Sequence, residues 1–202
     1  MKLYFGPGAC SLSPHIALRE AGLPFTAIKV NSRTKETDGG GDFRAINPKG
    51  YVPALGLADG SVLTEGPAIV QYIADQAPAS KLAPANGTLE RYRLQEWLNF
   101  ITSELHKQYS PLFDPTYPDE MKARLRDKIG ARLTWVAEQL GSKPYLTGDT
   151  FTVADAYLFT VINWGQWVGI DLAQWPALKA YHERVAARPK VQEAMKAEGL
   201  LK

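Results

Sequence analysis

Cysteine is nearly absent from this 202-residue chain, and the single one, Cys10, has no second thiol to pair with, which excludes an internal disulfide. Histidine is scarce too. His15, His106 and His182 stand far apart, without the close spacing of metal-ligand pairs, so no structural metal is expected. No stretch approaches the roughly 18 apolar residues that cross a bilayer, and MKLYFGPGAC is too short and too interrupted for a signal peptide. A cytoplasmic protein without a membrane partner is the expectation. A charge excess is also missing: the net charge of +2, with Lys and Arg scattered among Asp and Glu, provides no long-range field to hold nucleic acid. That leaves a small molecule or another subunit as the partner. What the chain does have is 45% hydrophobic residues, enough to bury a sizeable core in one large or two small packed units.

The two halves differ in rhythm. Lys2 to Phe5 alternates, GPGAC supplies a turn, and Ser11 to Ala21 carries Leu12, Ile16, Ala17 and Ala21 at near-helical spacing before Gly22 closes it. FTAIKV (Phe25 to Val30) reads as a second strand, completing a strand, helix, strand unit of the kind that builds a parallel pair. Residues 31 to 49 are polar and contain GGGD, which predicts a long loop with at most a short helix near its end. Asp59-Gly60 then sits between two short apolar runs, a hairpin signal. Pro67 suits the first position of a helix that runs from about Pro67 to Gln76 with Ile69, Val70, Ile73 and Ala74 on its apolar face. The order is βαβ, loop, ββα.

Pro78, Pro84 and Ala85 to Gly87 mark a linker, after which strand signals nearly vanish. Leu94, Trp97, Leu98, Ile101 and Leu105 form one helical stripe; Leu125, Ile129, Leu133, Val136 and Leu140 form a second that stops at Gly141, and the two are expected to pack as a pair. Thr152 followed by Asp155 resembles a capping box, with Phe151 and Ala156 as its hydrophobic staple. The helix it opens is apolar almost all round and is expected to be central. A last helical stretch starts at Pro176 and breaks at Pro189.

Four places could carry chemistry. Cys10-Ser11-Leu12-Ser13 lies where a turn becomes a helix, a position that favours a thiolate, although a free cysteine is as often a small buried apolar residue. With Ser13 in place of a second cysteine, redox chemistry there would run through a mixed disulfide with an external thiol. Val52-Pro53 opens a strand with proline, which places it at an edge able to pair with an extended peptide, or in a cis turn; an ordinary trans proline fits as well. Thr64-Glu65-Gly66-Pro67 precedes a helix, so free N–H groups can take a carboxylate and Glu65 an amine, the two charges of an amino-acid head group. The alternative is that Glu65 merely complements the helix dipole. Asn99, Ser103 and His106 share one helix face with Glu104 and Lys107 adjoining, a binding face or a solvated one.

Together, the order βαβ-ββα with a cysteine-bearing turn, the Val52-Pro53 strand start, the TEGPAI helix start and an all-helical second half resembles the glutathione transferases. Within them the sequence is most similar to the bacterial beta class, through PGACSLSPHIALREAGL, NPKGYVPAL, LTEGPAIVQYIAD, EWLNFITSELHK and FTVADAYLF. The resemblance covers nearly the whole chain. It implies an α+β fold: a thioredoxin-like glutathione-binding domain with a mixed four-stranded sheet over residues 1–80, a linker at 81–87, and an all-α domain over 88–202 that carries the electrophile pocket, in a homodimer.

Carried residue by residue, the resemblance makes Val52, beside Pro53, the backbone partner of the cysteinyl part of glutathione, with Glu65 and Gly66 at the γ-glutamyl end. Lys35 and Lys107 become candidates for charge pairing with the tripeptide, and Cys10 and His106 lie nearest the sulfur. Asn99, Ser103 and Glu104 contribute around the site, some from the neighbouring subunit. Ser11 and Tyr4 are further candidates for activating the sulfur, since other classes place a serine or tyrosine there. The activity implied is conjugation of glutathione to electrophilic aromatic or halogenated molecules, a detoxification reaction. Thiol–disulfide exchange or reductive dehalogenation through Cys10, or a non-enzymatic ligand-binding role, stands as the alternative. Tyr109, Phe113, Trp164 and Trp167 line the electrophile pocket or belong to the core.

Overall fold

The structure is a computed structural model and describes residues 1–201. The chain divides into two compact units, one built from residues up to Ala83 together with the segment from Ala187 onward, the other from Pro84–Ala186.

In the first unit, β1 (Lys2–Phe5) and β2 (Thr26–Lys29) are parallel, with Lys2 opposite Thr26 and Phe5 opposite Lys29. Parallel neighbours need a crossover, and α1 (Leu12–Glu20) provides it. Gly22, at φ 66, ends that helix in the left-handed region that only glycine enters without cost, and Leu23 N–H returns to the Leu18 carbonyl. β3 (Ala54–Gly56) runs antiparallel to β1, and β4 (Val62–Thr64) antiparallel to β3, giving the order β2-β1-β3-β4. The Asp59-Gly60 turn joins β3 to β4, with Gly60 at φ 86. The mixed four-stranded sheet is the one expected.

Alternation along the strands decides the layers. Tyr4 and Ala54 face one side with Val30 and Phe43, which comes from a single 3₁₀ turn at Phe43–Ala45 in the long polar loop. The other side presents Leu3 and Leu55, fully buried, as are Ile16 of α1 and Ile69 and Ile73 of α2 (Gly66–Gln76), the helices that cover it.

The second unit is helical. α3 (Leu89–Phe100) is capped by Thr88, whose hydroxyl accepts from Arg91 N–H at 3.2 Å. The expected single stripe through Leu105 is one continuous helix whose last part, Ile101–His106, widens to a π-helix before the short α4 (Lys107–Tyr109). α5 (Asp119–Leu140) stops at Gly141, and the ring of its Trp135 packs at a tilt against Phe100 and Trp97 of α3, with centroids 4.6 and 5.4 Å apart. α6 (Val153–Ile162) is buried along its whole length and opens with the Thr152/Asp155 capping box. α7 (Gly165–Val168) and α8 (Pro176–Ala186) complete the unit.

One boundary differs from expectation. α9 (Pro189–Ala197) was expected within a helical domain spanning 88–202, yet it packs on α1 in the first unit. The helix buries Val191, Ala194 and Met195, and polar contacts flank that face: Glu198 reaches His15 and the Gly8 N–H, and Arg188 grips Glu20 with two hydrogen bonds of 2.7 and 2.8 Å.

Candidate functional site

In the first unit the loop from Gly6 to Ser11 and the approach to β3 face each other across a cleft of about 420 Å³. Cys10, Lys29, Asn31, Lys35, Tyr51 and Val52 are among its walls. Cys10, half-buried, donates its thiol hydrogen to the Val52 carbonyl at 3.3 Å. The contact belongs to the thiol, since a thiolate would meet the oxygen lone pairs with no proton between them. The Val52–Pro53 peptide bond is cis. Val52 N–H meets no hydrogen-bond acceptor among the described residues, so an unpaired backbone donor lines the cleft beside a carbonyl with a spare lone pair.

The start of α1 is less open to an anion than its position suggests. Leu12 N–H goes to the Ala9 carbonyl at 3.0 Å and Ser13 N–H to the Cys10 carbonyl at 3.2 Å. Ser11, expected as a catalytic candidate, has a different task. It is fully buried, and its hydroxyl accepts from Gly6 N–H at 3.0 Å and donates to the Gly6 carbonyl at 3.2 Å, closing the loop that carries Cys10. Tyr4 is buried, with its ring packed on Phe43 in the core.

Lys35 reaches the cleft from the polar loop, with its backbone at φ 65. A non-glycine residue in that region is uncommon. Here its N–H bonds the Asn31 carbonyl and its own carbonyl takes Phe43 N–H at 2.8 Å, which anchors it. Glu65 also has positive φ, 69, immediately before α2, and Gly66 is the first residue of that helix. The Glu65 carboxylate accepts from Lys49 Nζ and from the Tyr51 hydroxyl at 3.0 Å. Its hydrogen bond holds both the Lys49 ammonium and the Tyr51 hydroxyl above their ordinary values. Lys49 and Tyr51 were not singled out in the sequence, although both stand in the NPKGYVP stretch directly before Val52.

In the second unit the π-helical turn and α4 gather the remaining candidates. His106 Nδ1 lies 2.7 Å from the Tyr157 hydroxyl, and its ring lies edge-on to Trp164 at 5.0 Å. Burial, aided by the neighbouring Lys107 charge, lowers the imidazole to about 4, so it is neutral at pH 7. Tyr157, on α6, is a partner the sequence did not reveal. Lys107, Asn99 and Ser103 are exposed, and the Ser103 hydroxyl donates to the Asn99 carbonyl at 3.1 Å. Glu104 is half-buried, its carboxylate held 2.8 Å from the Arg132 guanidinium of α5. Of the four aromatic residues weighed for a pocket, Tyr109 and Trp164 are buried, whereas Phe113 and Trp167 are about half exposed. The Tyr109 hydroxyl is enclosed without a hydrogen-bond partner, and burial pushes its ionisation up.

Among the described residues no group of three His, Cys, Asp or Glu side chains is arranged to hold a metal, and no helix is long and apolar enough to cross a membrane.

Residues 8–76 match the family described as "Glutathione S-transferase, N-terminal domain", and residues 100–189 match "Glutathione S-transferase, C-terminal domain". The chain is 47% identical to Glutathione S-transferase GstA of Escherichia coli O157:H7 over 99% of its length and 100% of the relative's. It superposes on the structure of a sphingomonad glutathione S-transferase complexed with glutathione with a TM-score of 0.96 at 51% identity, covering 100% of both chains. A bacterial beta class glutathione S-transferase from Sphingomonas chungbukensis gives the same TM-score, 0.96, at 50% identity and equally complete coverage.

Proposed function

Because this chain belongs to the glutathione S-transferase family and resembles its bacterial beta class, we propose that it binds glutathione in the cleft of the first unit and activates the thiol for attack on an electrophilic carbon. The observation that carries the reading is the Val52 N–H, which meets no acceptor among the described residues, beside the Val52 carbonyl that faces Cys10. An extended cysteinyl residue can give its N–H to this carbonyl and take the N–H on its own, as in strand addition. Lys35, on the same wall, supplies a cation for a ligand carboxylate. At the other end Glu65 offers a carboxylate to the α-ammonium of the γ-glutamyl group, and the first N–H groups of α2 at Gly66 suit its α-carboxylate.

Activation is a matter of populating thiolate. A thiol with a pKa of about 8.5 is only a few per cent ionised at pH 7, and lowering it by two units raises the thiolate roughly twentyfold for about 2.7 kcal/mol. In our reading His106, neutral at pH 7 and held by Tyr157, donates a ring N–H toward that sulfur. Cys10, in the wall of the cleft, is given a place beside that sulfur by the family resemblance. Asn99, Ser103 and Lys107 supply polar groups around the ligand, and Glu104 acts through a carboxylate already held by Arg132. The electrophile is an aromatic or halogenated small molecule, the working form is a homodimer in the cytoplasm, and the role is detoxification.

The test is turnover of a panel of electrophiles with glutathione by the wild type, Cys10→Ala and His106→Ala, scored for conjugate, released halide and disulfide. Conjugate is the expected product, reduced in Cys10→Ala and reduced further in His106→Ala. If the panel yields no conjugate while the protein, given oxidised glutathione, gains one glutathione by exchange with release of the other as thiol, removable by reductant and missing in Cys10→Ala, thiol exchange replaces conjugation as the function.

A further inference from the structure

The Glu65 carboxylate, which the reading above gives to the α-ammonium of glutathione, already holds an ammonium: Lys49 Nζ sits on its Oε1, the same oxygen to which the Tyr51 hydroxyl donates at 3.0 Å. We propose that Lys49 is a built-in competitor for Glu65, an internal ammonium standing where the ligand's own must bind, which sets the affinity and selectivity of the site for ligands with an α-amino group. The proposal rests on the Glu65 assignment made above.

The chemistry of the two cations is the same. Each is a primary alkylammonium with three donors, and both seek the one carboxylate, whose Oε1 already takes Lys49 and Tyr51. The pair is also open to exchange: the Lys49 and Glu65 side chains are 46% and 56% exposed, so a ligand can replace Lys49 without unfolding anything. The Glu65 backbone is fixed between β4 and α2, at φ 69 and with its carbonyl accepting from Ala68 and Ile69 N–H, both at 3.0 Å, so the carboxylate is presented from a set position.

Lys49 has somewhere to go. Its ammonium is already 3.0 Å from the Thr64 hydroxyl and 5.8 Å from the centre of the Tyr51 ring. A small rotation leaves it on these two neighbours, a hydroxyl acceptor and an aromatic face, while the ligand ammonium takes Oε1. The opposite role is equally concrete in its consequences: a Lys49 that stayed to pair with the ligand's α-carboxylate would strengthen binding rather than oppose it.

Calorimetric titration with glutathione and with glutaryl-cysteinyl-glycine, the same molecule without its α-amino group, separates the two. Lys49→Met is expected to bind glutathione about two- to fivefold more tightly than the wild type, the range an exposed ion pair commands. It should bind the glutaryl analogue no more tightly, so the preference for the amino group widens. Glu65→Gln should lose that preference. If Lys49→Met binds glutathione equally or less well while Glu65→Gln still loses the preference, the competitor role is wrong and the Glu65 assignment stands. A Glu65→Gln protein that prefers glutathione as strongly as the wild type overturns the assignment, and the Lys49 proposal with it.

Discussion

His15 Nδ1 lies 2.8 Å from Glu198 Oε1, with both side chains fully withdrawn from solvent. The proton must sit on Nδ1, because Arg19 Nε donates to the other ring nitrogen at 3.1 Å. A neutral imidazole therefore bridges a guanidinium and a carboxylate, and the second carboxylate oxygen accepts from Gly8 N–H at 2.9 Å. Gly8 is two residues from Cys10. Through this one carboxylate the chain's last helical segment holds the loop that forms a wall of the cleft.

Glu198→Ala leaves the buried His15 donor without its acceptor and removes the carboxylate that holds the Gly8 N–H. A loss of about 1–3 kcal/mol is expected, the cost of leaving a buried donor unsatisfied. Glu193→Ala, which removes an exposed partner of Arg19 and Lys190, should cost under about 1 kcal/mol. Urea unfolding of the two variants checks the contrast, and equal losses would show that the buried network adds nothing.

Asp155 gathers four donors while fully buried: Leu146 N–H at 2.9 Å, Thr152 N–H at 2.8 Å, the Thr152 hydroxyl at 2.9 Å and the Tyr181 hydroxyl at 3.1 Å. It is both the cap of α6 and the tie between that helix, the preceding loop and α8. Thr152→Ala is expected to cost about 1 kcal/mol, an ordinary capping loss. Asp155→Ala should cost several times more, because it orphans buried donors at about 1–3 kcal/mol each. Thermal melting of the pair of variants decides between a mere cap and a hub: similar Tm shifts in both would reduce Asp155 to a cap.

Lys35 should read a carboxylate at the glycine end of the ligand. The expected effect of Lys35→Met is a rise in the glutathione Kd of roughly three- to tenfold, as suits one ionic contact partly open to water. Glutathione amidated at glycine should bind the wild type about that much more weakly and bind Lys35→Met no differently from glutathione. Added salt should shrink the wild-type preference. A Lys35→Met protein that still distinguishes acid from amide would move the carboxylate to another cation, with Lys29 on the same wall the next to test.

The features legible in the sequence were those whose cause is local. Thr152 and Asp155 stand three apart, so their capping box is written in four consecutive residues, and Gly22 and Gly141 end helices at positive φ just where periodicity stops, as Gly60 turns the hairpin. Glu198 gave no such signal, since its partner His15 is 183 residues away and a glutamate near a chain end reads as solvated surface. Ser11 misled for the related reason that a hydroxyl beside a cysteine suggests chemistry until its partner, Gly6, is seen. Lys49 and Tyr51 were hidden because long polar side chains take their meaning from where they fold back, and spacing along the chain does not record that.

Protonation of His106 links stability to pH with a definite sign. Burial lowers the group from 6.5 to about 4, so between those values the unfolded chain binds a proton that the native protein refuses. Stability contributed by this group is complete above about pH 6.5 and is lost as the pH falls toward 4, where the native imidazole also takes a proton and the loss levels off. His182, lowered by burial as well, adds a slope of the same sign, so the wild type alone cannot isolate His106. The comparison with His106→Gln does: urea midpoints at pH 7.5 and pH 5 should draw together in the variant, because glutamine binds no proton in either state. An unchanged difference between the two midpoints would mean that His106 is already free to protonate in the native fold, and that its ring is more open to water than its contacts with Tyr157 and Trp164 imply.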